Sequence, residues 1–242
     1  ADCYGLKHLG AISPGKRADI VILDDLEEVI VSDVYVGGRR FEGAKSFNGL
    51  KTTPPADMFN TVNLAPISQE SFTLKAPKEP TDVLEIVPGQ IITKHKKLCL
   101  PEENGYFKAK DGFSKIAVIE RHKALGHIGV GAVLGFPING AIASTVSHDS
   151  HNLIVLGNSD DDMLIAVNIL KECGGGYALV KDGKLLGRLP LPICGLITDA
   201  PSSEIEKIIT QMKETYIKMG GTDKIDPFTT LSFLALPVIP EI

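Results

Sequence analysis

The chain has 242 residues, 43% of them hydrophobic, with a formal net charge of −5, enough apolar material for one large domain or two modest ones. Its Lys and Arg are scattered and form no basic stripe, which leaves nucleic-acid binding without electrostatic support. No apolar run is long enough for a membrane-spanning helix, and the N-terminus lacks the pattern of a secretory signal. The four cysteines, Cys3, Cys99, Cys173 and Cys194, form no Cys-x-x-Cys pair, so a reducing cytoplasm is expected rather than a disulfide framework or a structural zinc.

The first residue is Ala, and Ala1 to Leu9 reads as a helix end with Gly5 and Gly10 as terminators. A piece of a longer protein is therefore expected. A Pro14-Gly15 turn leads into a strand over Ala18 to Leu23. A second strand is predicted over Ile30 to Val36, and Gly37-Gly38 folds it back into a third over Arg39 to Glu42. The segment Leu9-Gly-Ala-Ile-Ser-Pro-Gly-Lys-Arg-Ala-Asp-Ile-Val-Ile-Leu-Asp24 resembles the stretch that follows the last barrel helix in the amidohydrolase superfamily. The resemblance implies that residues 1–43 are the end of a barrel helix and strands of a small β-sandwich. Without their sandwich partners these strands should expose apolar edges.

Residues 44–67 shift to Pro, Thr, Asn and Lys and read as a linker with one helical turn around Ala56 to Thr61. A second domain is expected over 68–242. Its strands are predicted over Ser71 to Ala76, on both sides of Pro88-Gly89 within Val83 to Leu98, and over Ser114 to Glu120. Gly126, Gly129, Gly131 and Gly135 lack the third glycine of a dinucleotide loop and the Lys-Ser/Thr of a P-loop. They are read instead as sites of close backbone packing or unusual turns.

The apolar run Ala141 to Val146 has the composition of a buried strand, and a second such run comes at Leu153 to Leu156. Between them lies Ser147-His-Asp-Ser-His-Asn152, a tight connection on a rigid base. Asn158 to Asp162 supplies acidic caps for a helix over Met163 to Cys173. Gly174-Gly-Gly176 stops it, and Asp182-Gly183 joins strands over Tyr177 to Val180 and Lys184 to Leu189. Leu189 to Asp199 reads as a rigid apolar loop beside the cluster, with Asp199 as a cap for the next helix. That helix is predicted over Ser202 to Met219, with Ser202 or Ser203 as its N-cap. A last short helix is predicted within Phe228 to Leu236, capped by Asp226 with Pro227 in its first position, and docked because an exposed stretch so apolar would be sticky. The fold class is mixed α/β (α+β), a mainly β core with flanking helices.

His148, Asp149 and His151 are chemically suited to a divalent metal. The same side chains also suit bonding to their own turn, and both readings stay open. Ile119-Glu-Arg-His-Lys123, Gly140 to Asn152, Leu189-Pro-Leu-Pro-Ile193 and Thr230-Leu-Ser-Phe-Leu-Ala-Leu-Pro-Val-Ile-Pro240 together resemble the C-terminal region of bacterial and archaeal adenine deaminases. The resemblance implies hydrolysis of adenine to hypoxanthine and ammonia by a metal-activated water. It also implies a divalent metal, manganese or iron with zinc possible, held mainly by a barrel absent from this chain. In that family a His-x-His pair marks the principal site, whereas here the nearest spacing is His148-x-x-His151.

The expected partners are adenine, the amidohydrolase barrel and further copies of the protein. Glu120 and His122 are the catalytic candidates within this region. His148, Asp149 and His151 are candidates for a further metal, and Arg121, Ser147 and Asn152 for contact near the substrate. Two alternatives stand beside this reading: a non-catalytic packing or oligomerisation module, and a self-sufficient site with Glu120 as general base beside a His148/His151 metal.

Overall fold

The structure, a computed structural model, describes residues 1–43, 53–236 and 238. The chain divides into two compact units, Ala1–Thr53 and Pro54–Ile242. In the first unit a short 3-10 turn, Asp2–Tyr4, ends at Gly5. Three antiparallel strands come next, in the order β1 (Ile20–Asp25), β2 (Ile30–Val36) and β3 (Arg39–Arg40). Gly37 and Gly38 both have positive φ, as a two-residue primed hairpin turn requires. None of the described residues of this unit is buried. Val21, Ile22, Ile30, Val31 and Val36 are all more than 40% exposed, so apolar faces, and not only the expected edges, stand open.

The second unit is built on an eight-stranded sheet in the order β13-β12-β10-β11-β8-β9-β4-β5. Its strands are β4 (Thr81–Ile86), β5 (Thr93–Leu98), β8 (Phe113–Ile119), β9 (Ile128–Leu134), β10 (Ala141–Ser144), β11 (Leu153–Gly157), β12 (Gly176–Lys181) and β13 (Lys184–Pro190). Two short strands, β6 (Glu102–Glu103) and β7 (Tyr106–Phe107), pair separately. All neighbours in the large sheet run antiparallel except β4 and β9.

Alternation along the central strands sends side chains to two faces. Ile116, Ile142, Ile154 and Leu156 meet Met212, Tyr216, Phe228 and Leu231 from helices α2 (Ser202–Lys218) and α3 (Pro227–Phe233). Ala117, Ile119, Ala143, Leu153 and Val155 meet Met163, Val167 and Leu170 from α1 (Asp160–Glu172). With both faces covered, the middle strands read as unbroken apolar runs rather than alternating ones.

Several expectations change here. Of the stretch read as a linker, 44–52 lies outside the described residues, but Val62 and Leu64 belong to the core beneath α1; their apolar side chains outweigh the prolines around them. Ser71 to Ala76 is not a strand. Ser68 and Ser71 cap each other and start a 3-10 turn, Gln69–Phe72, leaving only an isolated bridge from Lys75 to Tyr106. The glycine-rich run spans strand β9: Gly129 and Gly131 lie within it, and Gly126 and Gly135 flank it with positive φ. Neither Asp199, Ser202 nor Ser203 caps α2, whose N-cap is Pro201 and carries no side-chain acceptor.

The short final helix matches the expectation closely. Asp226 Oδ1 accepts the amides of Phe228 and Thr229, and Lys213 Nζ pairs with Oδ2. Burial pulls the Asp226 carboxyl up, but Lys213 and the Thr229 amide pull it further down, so it sits below its ordinary value. Asp226→Ala is expected to cost about 1–2 kcal/mol, read as a lower thermal midpoint. Lys213→Ala should cost less, because the capping bonds survive it.

Candidate functional site

The two imidazole-bearing segments meet at one end of the sheet. Leu153 of β11 lies opposite Ile119 of β8, which sets the 147–152 connection beside the Glu120–Leu125 turn. His122 Nε2 donates to Ser150 O at 2.8 Å across the junction. His151 folds back on its own turn, donating from its backbone amide and from Nδ1 to Ser147 O at 2.7 and 2.9 Å.

Arg121 holds this end together. It is 1% exposed, and its guanidinium donates to three backbone carbonyls from distant segments: His151, Thr61 and Cys194. Its own carbonyl accepts from the Asn63 amide at 2.7 Å. Among the described residues no carboxylate lies within ion-pair distance of it. Burial lowers the Arg121 pKa, the sign expected for a cation removed from water. Arg121 is thus inaccessible, with its donors turned inward. Beside it Gly195 is left-handed at φ 70°, and a Cβ there would sit 2.8 Å from Arg121 Nη1.

Glu120 is equally occupied. Oε1 accepts the amides of His122 and Lys123 at 2.6 and 2.7 Å, and Oε2 that of Leu125 at 2.8 Å. The Leu125 and Lys123 amides hold its carboxyl below the ordinary 4.5. A general base works best with a pKa near the working pH, and this carboxylate has moved the other way. Its stabilising contribution is present above its ordinary value and lost as the pH falls through its lower folded value. Glu120→Gln is expected to flatten the loss of stability below about pH 4.5, measured by thermal melts at stepped pH.

The remaining candidates divide. Ser147 is buried, and its Oγ has no partner among the described residues. His148 faces outward with its ring stacked on Phe233, centroids 4.6 Å apart, while the Asp149 side chain is 86% exposed. Asn152 is half-buried, and its amide donates to Ser150 Oγ at 3.3 Å. Donation to a carbonyl requires a proton on His122 Nε2 and on His151 Nδ1. Among the described residues no three His, Cys, Asp or Glu side chains converge so as to hold a metal ion. The donor set here does not fit a metal of its own.

Some of what builds this end was missed in the sequence. Thr61 and Asn63 fall in the stretch read as a linker, and Cys194 drew notice only as an unpaired thiol. At the opposite end of the sheet, where Lys115 faces Gly157, Lys115 is 5% exposed and its ammonium meets both Asp160 oxygens at 2.6 and 2.8 Å. The signal was available: a lone Lys inside an apolar strand needs a partner when buried. Asp162, read only as a helix cap, also accepts the Asp182 and Gly183 amides and ties α1 to the β12–β13 turn.

These observations define a mixed α/β domain, a helix-covered sheet ending in two internally braced polar loops. Residues 90–242 match the family described as the adenine deaminase C-terminal domain, and the chain belongs to that family. It is 43% identical to an adenine deaminase of Desulfitobacterium hafniense, aligning over all of this chain and 42% of that protein. To adenine deaminase 2 of Carboxydothermus hydrogenoformans it is 42% identical, over all of this chain and 43% of the relative. The Bacillus subtilis adenine deaminase is 39% identical with the same coverage. The chain therefore spans less than half the length of these relatives. Among the described residues no helix is long and apolar enough to cross a membrane.

Proposed function

We propose that the chain is the C-terminal portion of an adenine deaminase, the hydrolase that converts adenine and water to hypoxanthine and ammonia in the cytoplasm. The observation that carries this reading is the family match over residues 90–242, joined to relatives of that name that align along the whole chain. On this reading a divalent metal, manganese or iron with zinc as the alternative, belongs to an amidohydrolase barrel outside this chain. There it supplies an activated water. The contribution of this chain is positional: Arg121 and Glu120 fix two loops so that Asp149 and His122 face the mouth of the barrel.

The test is turnover by the intact protein carrying both portions, monitored as ammonia release from adenine after loading with manganese, iron or zinc. Release with any of the three is expected; none with all three overturns the reading. An Asp149→Asn variant, altered at a side chain that is 86% exposed, is expected to lose about tenfold in kcat/KM, equivalent to about 1.4 kcal/mol. The second reading, a packing and oligomerisation module, is favoured by the internal use of Glu120 and Arg121. Unchanged kinetics in that variant would support it.

A further inference from the structure

The His148 connection and the final short helix were both singled out in the sequence, and the deaminase reading gives the second of them no task. They meet over one cavity of about 300 Å³. The His148 amide donates to Ser232 O at 2.9 Å, and the His148 ring lies at 30° to Phe233. A second aromatic pair, Tyr177 and Phe228 with centroids 4.6 Å apart, lines the same cavity.

The polar groups there narrow the choice of occupant. Lys213 and Asp226, the residues of fixed charge in its lining, neutralise each other. A phosphate would find no unpaired lysine or arginine, and a cationic ligand no unpaired carboxylate. Of the three hydroxyls in the lining, that of Ser232 donates to Thr229 O and that of Thr229 serves Asp226, which leaves aromatic surface and the hydroxyl of Tyr177. Burial raises the Tyr177 pKa, so its hydroxyl stays protonated and available as a donor. A cavity of this size suits a small ring system rather than a nucleotide, and flat rings gain by stacking on aromatic faces.

The geometry points to a binding slot for a neutral, flat nitrogen heterocycle of nucleobase size, seated against the His148 and Phe233 rings with its polar edge toward the Tyr177 hydroxyl. The choice of a purine within that class rests on the adenine deaminase reading. The slot then retains substrate or product at a place separate from the metal-bearing barrel, in a domain that lacks a metal-binding cluster among its described residues.

The test is an NMR titration of the intact protein with adenine, hypoxanthine and adenosine monophosphate. It is read at the His148 ring signals, assigned by their loss in His148→Gln. Adenine and hypoxanthine are expected to shift those signals, with affinity about tenfold weaker in Phe233→Leu, which keeps an apolar side chain but removes the ring. The monophosphate is expected to bind at least about tenfold more weakly than the bases, having a charge with nowhere to go. Should Phe233→Leu fail to fold, Tyr177→Phe, which keeps the ring and removes only the hydroxyl, should also weaken binding.

Unmoved His148 signals, wild-type affinity in a folded Phe233→Leu, or tighter binding of the monophosphate would each overturn the slot. Ammonia release from the same samples separates the two readings. Base binding without turnover keeps the slot and removes the deaminase; turnover with His148 unmoved does the reverse.

Discussion

Arg121→Ala is expected to lower the unfolding free energy by about 3–5 kcal/mol, read as a shift of the urea midpoint at constant slope. The change strips donors from the carbonyls of Thr61, His151 and Cys194 and leaves a cavity where a large, 1% exposed side chain stood. Arg121→Lys should recover little. A lysine keeps the charge, which here meets no carboxylate, but cannot reach three separate carbonyls with a rigid fork. Arg121→Met should fall between wild type and Ala, since it fills space and removes a buried cation while abandoning the bonds. A Lys variant as stable as wild type would show that charge, and not geometry, is what this position needs.

Gly176→Ala is expected to cost roughly 4 kcal/mol or more, enough to leave little folded protein. At φ 127° a Cβ would stand 1.9 Å from the Leu189 carbonyl oxygen. The oxygen is backbone and the added carbon would be fixed directly to the backbone of the adjoining strand, so neither can swing away. The position is pinned further by Thr145, whose Oγ1 accepts the Gly176 amide at 2.7 Å and whose own amide donates to Gly176 O at 3.0 Å. Gly183→Ala is the control: its φ is 74° and nothing lies within 4 Å of the added carbon. A loss of about 1–2 kcal/mol is expected there, from backbone strain alone. Both are measured by chemical denaturation monitored by circular dichroism.

The elements that could be read in the sequence were those with a local cause. The strand over Ile30 to Val36, the Asp182-Gly183 hairpin and the Asp226-Pro227 helix start each declare themselves within a few residues, through turn glycines or a cap. What stayed hidden depended on partners far along the chain. The roles of Thr61 and Asn63 arise only when Arg121 is placed beside them, and no neighbour of Thr61 announces a guanidinium sixty residues away. At the loop end the residue types were right, but their roles could not be seen. Glu120 looks like a reactive carboxylate until the amides of His122, Lys123 and Leu125 are found folded around it. Strand β9 was obscured because Gly129 and Gly131 read as turn or packing signals, although Ile128, Val130 and Ala132 keep the period of two.

The strand order has a consequence for how the domain assembles. Four hairpins, β4–β5, β8–β9, β10–β11 and β12–β13, join strands adjacent in sequence and close over short loops at small entropic cost. The β4–β5 hairpin then enters the sheet through parallel pairing of just Leu84 with Val133 and Glu85 with Leu134. So few ladder bonds, reached over so long a loop, make it a late-docking and early-detaching unit. Amide hydrogens of β5 should exchange through openings far smaller than global unfolding. Those of β10 and β11, flanked on both sides and buried on both faces, should wait for the whole domain to come apart.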